Sequence, residues 1–322
     1  MNILVTGGCG YIGSHMAVTL LRAGHDVTMI DVSPRAVGIP REAQLFVGDV
    51  VNYRLVSTIL RANKIDAVMH FAGRIQVADS LTNPRAYYRD NLAAGISLID
   101  ACLDAGVKKF IFSSSAAVYG QSPRLLMHPY AAYSEGDLCY PISPYGRTKL
   151  MFEKVLDDYD KAYGLRSVSL RYFNAAGARE GLRERHEPET HLIPLALDAA
   201  RDLKLLTVYG TDYPTADGTA VRDYVHVADL CAGHLKALEY LEQGGETEIL
   251  NLGSGKGTSV REVIAAAERV TKCKLGVVEA PQRPGDPPAL VADITRARRL
   301  LDWKPELSSI DRIVHDAWAS RK

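Results

Sequence analysis

The sequence has no C-x-x-C pair, no net charge, no long apolar run and no basic leader segment, and each lack removes a class of protein. Five cysteines, Cys9, Cys102, Cys139, Cys231 and Cys273, are scattered over 322 residues. Odd in number and never closely spaced, they suit a reducing compartment and argue against a disulfide framework or a cysteine zinc site; the ordinary role of small buried apolar side chains accounts for them. Lys plus Arg and Asp plus Glu each number 38. Charge alone therefore draws in neither nucleic acid nor an anionic membrane, and any anionic ligand must be held by local groups. No apolar stretch approaches the roughly 20 residues that span a bilayer, and the opening "MNILVTGG" lacks the basic, apolar and cleavage regions of a secretion signal. Nine histidines show no metal-ligand spacing, so no metal is expected. There is no internal repeat and no low-complexity tract. The expectation is a soluble cytoplasmic protein without nucleic-acid or membrane partners.

What is present is an alternation of short apolar runs with helical patterns. "NILVT" (2–6), "DVTMID" (26–31), "AQLFVGD" (43–49), "DAVMHFA" (66–72), "KFIFSSS" (109–115) and "RSVSLRYF" (166–173) are rich in Val, Ile, Leu and Phe without polar alternation, which suits strands buried on both faces. Helical patterns between them include "YIGSHMAVTLLRAG", closed by Gly24 as a C-terminal cap. The pattern predicts an α/β protein built on a Rossmann-type doubly wound parallel sheet. After about residue 172 the regularity gives way to Gly-, Pro- and charge-rich stretches around 174–194 and 281–290. A smaller C-terminal α/β substrate domain is expected there: residues 1–172 would bind the cofactor and 173–322 the substrate, with about 226–254 packing back on the first part.

"ILVTGGCGYIGSH" satisfies G-x-x-G-x-x-G through Gly7, Gly10 and Gly13. A glycine pattern alone is weak, and a tight turn that binds nothing would also produce it. Here it follows a strand pattern, opens a helix pattern and is followed by a second strand ending in Asp31, which is the context of a dinucleotide fingerprint. Asp31 is placed to accept from adenosine ribose hydroxyls and to repel a 2′-phosphate, which favours NAD over NADP.

"SPYGRTKL" sets Tyr145 and Lys149 four apart on a predicted helix face, where a solvated surface pair is the bland alternative. Upstream, "FSSSAAVYG" brings Ser113, Ser114 and Ser115 to the carboxyl end of a strand, where ligands of such folds sit. A cationic lysine beside the tyrosine favours phenolate. Tyr145 could then remove a hydroxyl proton while the carbon-bound hydrogen leaves as hydride to NAD, Ser115 hydrogen-bonding the reacting oxygen.

In this company the chain resembles the extended branch of the short-chain dehydrogenase/reductase superfamily, which acts on nucleotide sugars, and within it the UDP-glucose 4-epimerase family. The matching segments cover essentially the whole length: "TGGCGYIGSH", "GDV" at 48, "HFAG" at 70, "YYRDN" at 87, "FSSSAAVYG", "SPYGRTK", "RYFNAAGA", "YGTDYPTADGTAVRDYVHV" at 209–227, "NLGSG" at 251 and "RPGD" at 283. The resemblance implies Ser115, Tyr145 and Lys149 as catalytic residues. It extends the NAD site to Tyr11, Ile12, Asp49 and Val50 beside the adenine, Phe71, Ala72, Gly73, Asn91, Ser113 and Tyr172, with Lys149 also on the nicotinamide ribose. It assigns the UDP-sugar to Ser115, Tyr145, Asn174, Leu192, Tyr209, Arg222, Arg283, Asp286 and Leu290. For Arg222 an ion pair with Asp223 or Asp229, and for Asp286 a turn role, are the competing readings. Dehydratases of the branch carry an Asp-Glu pair, and decarboxylases a Glu, where this chain has Ala116 and Ala117. A 4-ketone formed here should therefore go no further, and interconversion of UDP-galactose and UDP-glucose is expected.

Departures from the family pattern qualify this. Val32 follows the ribose-binding Asp, Arg74 and Ile75 follow "HFAG", and His191 stands where some relatives carry an asparagine beside the uridine. Leu290 matches the position lining the sugar C2 substituent and implies a preference for unacetylated sugars, with N-acetylated or pentose UDP-sugars as alternatives. A non-catalytic NAD-sensing protein is the remaining alternative. Segments 85–106 and 143–164 match the helix pair through which relatives dimerise, implying a homodimer.

Overall fold

A computed structural model describes residues 1–34, 41–120, 131–179, 181–184, 188–283 and 286–321. The strands are β1 (Asn2–Thr6), β2 (Asp26–Asp31), β3 (Gln44–Val47), β4 (Ala67–His70), β5 (Lys109–Ser115), β6 (Arg166–Tyr172), β7 (Asn174–Ala176), β8 (Leu206–Tyr209), β9 (Val221–His226), β10 (Glu248–Leu252), β11 (Gly257–Ser259), β12 (Val277–Ala280) and β13 (Ala289–Leu290). The principal helices are α1 (Tyr11–Arg22), α2 (Tyr53–Ala62), α3 (Ala94–Asp104), α4 (Pro144–Tyr163), α5 (Leu192–Asp202), α6 (Val227–Glu242), α7 (Val260–Thr271) and α8 (Ile310–Ala319).

Seven strands form one parallel sheet in the order β10-β6-β5-β4-β1-β2-β3. Burial on both sides explains the continuous apolar runs except in β3, an edge strand whose Gln44 and Val47 are exposed and whose Leu45 and Phe46 are only partly buried. Along β1, Ile3 and Val5 enter one core with Met16 and Leu20 of α1, whereas Leu4 enters the opposite core with Phe110 and Phe152. Each fully buried side chain of this size contributes about 1.5–3 kcal/mol. The chain winds outward from β1 through β2 to β3, and in the other direction from β4 through β5 and β6 to β10. The reversal opens a crevice between the carboxyl ends of β1 and β4, the place where open α/β sheets bind ligands.

A second sheet centres on β9, which pairs with β7, β11 and β13, and β8 pairs with β12. A third core, including Ile193, Leu197, Val263 and Ile313, lies under α5, α7 and α8. α6 packs on α1 and returns the chain to β10 at the edge of the large sheet.

α4 is set by its ends. The Ser143 hydroxyl accepts from the Gly146 N–H at 3.1 Å, Pro144 opens the first turn, and Gly164 closes the helix at φ 66°. The single helix predicted over 85–106 is instead a short turn, Pro84–Tyr87, a π segment, Tyr88–Ala93, and α3. The π segment carries Asn91, whose side-chain oxygen accepts from Arg74 N–H at 2.7 Å and whose amide donates to the Arg74 carbonyl at 2.9 Å. π-bulges commonly mark functional sites.

Candidate active site

The crevice continues into a cavity of about 770 Å³, within the usual range for small-molecule sites. Its floor is the glycine turn. Gly7 has φ +68°, and a Cβ there would lie 2.6 Å from Ala72 N; a Cβ on Gly13 would lie 2.2 Å from the Gly7 carbonyl oxygen. Only glycine lets β1, β4 and α1 approach so closely. Gly10 caps α1 without a side-chain hydrogen bond, and the first turn carries no acidic residue. The helix therefore presents bare N–H groups and its positive end to the cavity, as an anionic pyrophosphate requires. Asp31, on the cavity wall, accepts from Cys9 N–H at 2.9 Å and Ser33 N–H at 2.8 Å. These bonds fix the carboxylate and leave further acceptor capacity for ribose hydroxyls. A close-packed glycine cradle, an uncapped helix start and a fixed carboxylate fit NAD.

Of the residues assigned to the cofactor, Gly7, Gly10, Tyr11, Ile12, Gly13, Asp31, Asp49, Val50, Phe71, Ala72, Gly73, Ser113, Tyr145, Lys149 and Tyr172 line this one cavity. Asn91 does not. It is buried behind the Gly73–Arg74 turn, which it holds by both ends of its amide.

The Ser, Tyr and Lys set converges on the same cavity. Tyr145 and Lys149 lie on the first turns of α4, buried to 9% and 4% exposure, so the solvated-pair reading does not hold. Ser115 ends β5 and accepts from Ala117 N–H at 3.1 Å, leaving its own proton to donate. The Lys149 ammonium donates to the Ser113 carbonyl at 2.7 Å and stands 5.8 Å from the Tyr145 ring centre. The electrostatics differ from the expectation of a lysine-stabilised phenolate. Burial pushes the Tyr145 phenol above its ordinary value, and it is the Ser115 hydroxyl that pulls it back. Burial also brings Lys149 down to about 8, with Glu153 acting against the fall. Desolvation dominates because both heads lie inside the protein, where the charged form loses its water. Behind them His70, held to Thr6 Oγ1 at 2.7 Å among Phe110, Phe112 and Phe152, is brought down to about 3 by burial and by Lys149. It is neutral.

The substrate assignments divide. Asn174, Asp286 and Leu290 line the cavity with Ser115 and Tyr145. Leu192, Tyr209, Arg222 and Arg283 are not on its wall. Leu192 opens α5 and packs on the third core. Arg283 stacks over the Tyr209 ring at 4.1 Å. Arg222 bonds Asp286 at 2.8 Å and the Pro287 carbonyl at 2.9 Å. Its carboxylate partner is thus neither Asp223, which accepts from Ser254, Gly255 and Ala292, nor Asp229, which accepts from Leu307 and Ser308. His191, on the wall, lies 2.9 Å from Glu184 and 3.0 Å from Glu189. Desolvation works to lower it, but the two carboxylates override and lift it to about 10.

Three features escaped the sequence reading. Tyr11 donates to the Gly177 carbonyl at 2.7 Å, joining the glycine turn to the segment after β7. The Tyr172 hydroxyl bonds His234 Nε2, whose Nδ1 faces the Leu230 carbonyl at 2.8 Å. Glu153 and Arg171 form a buried ion pair beneath the catalytic helix. The last left a signal, since an arginine inside the apolar run "RSVSLRYF" must find a carboxylate if that run is a buried strand.

Comparison with known proteins agrees with this geometry. Residues 3–253 match the NAD dependent epimerase/dehydratase family. The UDP-glucose 4-epimerase of Azospirillum brasilense is 45% identical over 98% of this chain and 90% of its own length. The crystal structure of UDP-glucose 4-epimerase from Brucella ovis in complex with NAD superposes with a TM-score of 0.93 at 42% identity, covering 99% of this chain and 97% of that one. The enzyme from Bifidobacterium longum in complex with NAD+ and UDP gives 0.89 at 36% identity, covering 100% and 99%.

Proposed function

The chain belongs to the NAD dependent epimerase/dehydratase family, and from that premise we propose that it is a UDP-glucose 4-epimerase that interconverts UDP-galactose and UDP-glucose with NAD. The observation that carries the reading is the convergence of Ser115, Tyr145 and Lys149 on a cavity floored by the glycine cradle, with Ala116 and Ala117 beside them on its wall.

The cofactor residues would be those of the glycine turn, Asp31, Asp49, Val50, the Phe71–Gly73 turn, Ser113, Lys149 and Tyr172. NAD bound there supplies a hydride acceptor that becomes a hydride donor, and its positive ring favours an ionised phenol nearby. The chain's own groups handle the proton. Tyr145 takes it from the C4 hydroxyl and later returns it, while Ser115, whose hydrogen is not committed to the backbone, donates to the reacting oxygen. Ala116 and Ala117 offer no acid or base, so no elimination or decarboxylation follows and the 4-ketone persists. A sugar that turns about its diphosphate link before the hydride is returned takes it on the opposite face of C4 and leaves with C4 inverted. Asn174, Asp286 and Leu290 would line the sugar-nucleotide side. Leu192, Tyr209, Arg222 and Arg283 would complete the uridine and diphosphate contacts, the two guanidinium groups being suited to phosphate oxygens.

Purified protein supplied with NAD should convert UDP-galactose to UDP-glucose and the reverse; conversion of neither refutes the proposal. Leu290 on the wall favours unacetylated sugars, so catalytic efficiency on UDP-N-acetylglucosamine should fall well below that on UDP-glucose, and equal efficiency refutes that preference. We extend the reading to a homodimer formed through segments 85–106 and 143–164; a monomer mass by light scattering at micromolar protein refutes it. Among the described residues no helix is long and apolar enough to cross a membrane, and a cytoplasmic site of action is part of the proposal.

A further inference from the structure

We propose that Glu153 is a positioning residue: with Ser114 and Arg171 it forms a buried clamp that fixes the helix bearing Tyr145 and Lys149 against the strand end bearing Ser113 and Ser115. The inference rests on the functional reading above and adds a residue to its machinery.

The geometry is specific to the site. Glu153 lies one helical turn after Lys149 on α4, and its side chain is fully buried. One carboxylate oxygen accepts from the Ser114 hydroxyl at 2.5 Å and from Arg171 Nε at 3.0 Å; the other accepts from Arg171 Nη2 at 2.7 Å. Ser114 and Arg171 are direct register partners across β5 and β6. The clamp therefore grips both strands at the one level where β5 supplies the Ser113 carbonyl that holds Lys149 and the Ser115 hydroxyl beside Tyr145. Two consecutive hydroxyls of β5 thus meet α4, Ser114 at Glu153 and Ser115 at Tyr145. The guanidinium lies over the Tyr119 ring at 4.9 Å, which completes its enclosure.

Stability alone does not account for this arrangement. A buried ion pair seldom gains more than its desolvation costs, and apolar side chains of similar volume often do as well. What it adds is directional: three hydrogen bonds of fixed geometry set the offset of α4 from β5. It also adds charge. Burial draws Lys149 down, and the Glu153 anion one turn away opposes that fall. Among the described residues the groups facing this region include Tyr145 on α4, His70 on β4, Ser113 on β5, Arg171 and Tyr172 on β6, and Tyr119 and Cys139 beside the ion pair.

Three variants test the clamp in the full-length protein with NAD. Ser114→Ala leaves the ion pair intact and should lower kcat on the order of tenfold, with KM for UDP-galactose within twofold, because a misplaced base slows chemistry more than binding. Glu153→Gln should lower kcat further. It should also move the alkaline limb of the kcat profile to lower pH, since losing the anion makes the Lys149 proton easier to remove. If Glu153→Gln does not fold, the paired Glu153→Gln/Arg171→Gln exchange, which leaves no unpartnered charge, is read by the same criteria. A purely structural role would lower Tm and leave kcat and the limb in place. Folded variants that keep wild-type kcat, NAD affinity and alkaline limb overturn the inference. A wild type that binds NAD but converts no UDP-sugar overturns the functional reading instead, and NAD affinity unchanged in all the variants would then overturn the clamp as well.

Discussion

Replacing Tyr145 by Phe removes one oxygen from the cavity and little else. The ring is buried, meets Tyr87 edge-on at 6.4 Å between centroids, and sits beneath the Lys149 ammonium. Those contacts belong to the ring and survive. The hydroxyl's neighbour is Ser115, so folding stability should change by only about 1 kcal/mol, the net value of one hydrogen bond. The loss in catalysis should be far larger. A positioned general acid–base is worth about 10²- to 10⁴-fold, or about 3–5 kcal/mol of barrier. Ser115 and Lys149 are the other two members of the catalytic set. The serine does not ionise in the working range, and the lysine is held on the Ser113 carbonyl. Neither substitutes for the base. The assay follows UDP-glucose formed from UDP-galactose through a coupled dehydrogenase, with NAD and UDP affinities measured in parallel. The expected result is kcat lowered at least 100-fold with both affinities near wild type. A variant that retained kcat within about fivefold would refute the assignment of Tyr145 as base.

Asp31→Asn keeps the shape but removes the charge that fixes the Cys9 and Ser33 amides and faces the cavity; NAD affinity by calorimetry should fall about 10- to 100-fold and discrimination against NADP should narrow, whereas unchanged affinity for both removes Asp31 from the site. Lys149→Met should abolish turnover yet stabilise the fold. Folding lowers the Lys149 pKa from 10.5 to about 8, so the folded protein is penalised wherever both states hold the proton. That penalty is present below pH 8, on the order of 3 kcal/mol at about 1.4 kcal/mol per unit, and disappears as pH rises from 8 to 10.5. Urea denaturation of wild type and variant should therefore differ most near neutrality and converge by pH 10.5; a variant less stable than wild type at pH 7 would show that the Ser113 bond outweighs desolvation.

The sequence carried the elements whose cause is local. The N-terminal strands other than the partly exposed edge strand β3 are legible because a parallel sheet buried on both faces needs unbroken apolar runs, and α4 because Ser143, Pro144 and Gly164 mark its ends. Interactions between distant residues were not legible. Asn91 lies on a π segment and bonds Arg74, and Arg222 finds Asp286 across 64 residues of sequence, while the nearer Asp223 and Asp229 are occupied by backbone N–H groups and serines. The effect of burial on Tyr145 was not legible for a related reason. Spacing on a helix shows which heads share a face but not how deeply they are buried, and burial sets the larger effect here.

The distribution of charge around the cavity bears on how inversion at C4 is possible at all. A sugar held by many directional bonds cannot turn over, so an enzyme of this kind must place its specific contacts away from the reacting ring. The cavity wall includes Ala116, Ala117 and Leu290, which bind without direction, together with polar groups such as Ser115, Asn174, Asp31 and Asp286, the last of them paired with Arg222. That pair matters because the protein as a whole carries no net charge to attract a diphosphate. Arg222 is oriented by a partner that is partly exposed rather than buried, so an incoming phosphate could share or replace the carboxylate at little desolvation cost. Asp286→Asn should then weaken that orientation without adding repulsion. UDP affinity should change by less than about tenfold in either direction, while Arg222→Met, which removes the cation itself, should weaken UDP binding by more. Titration of both variants with UDP decides it, and equal losses in the two would show that the pair, not the arginine alone, makes the phosphate site.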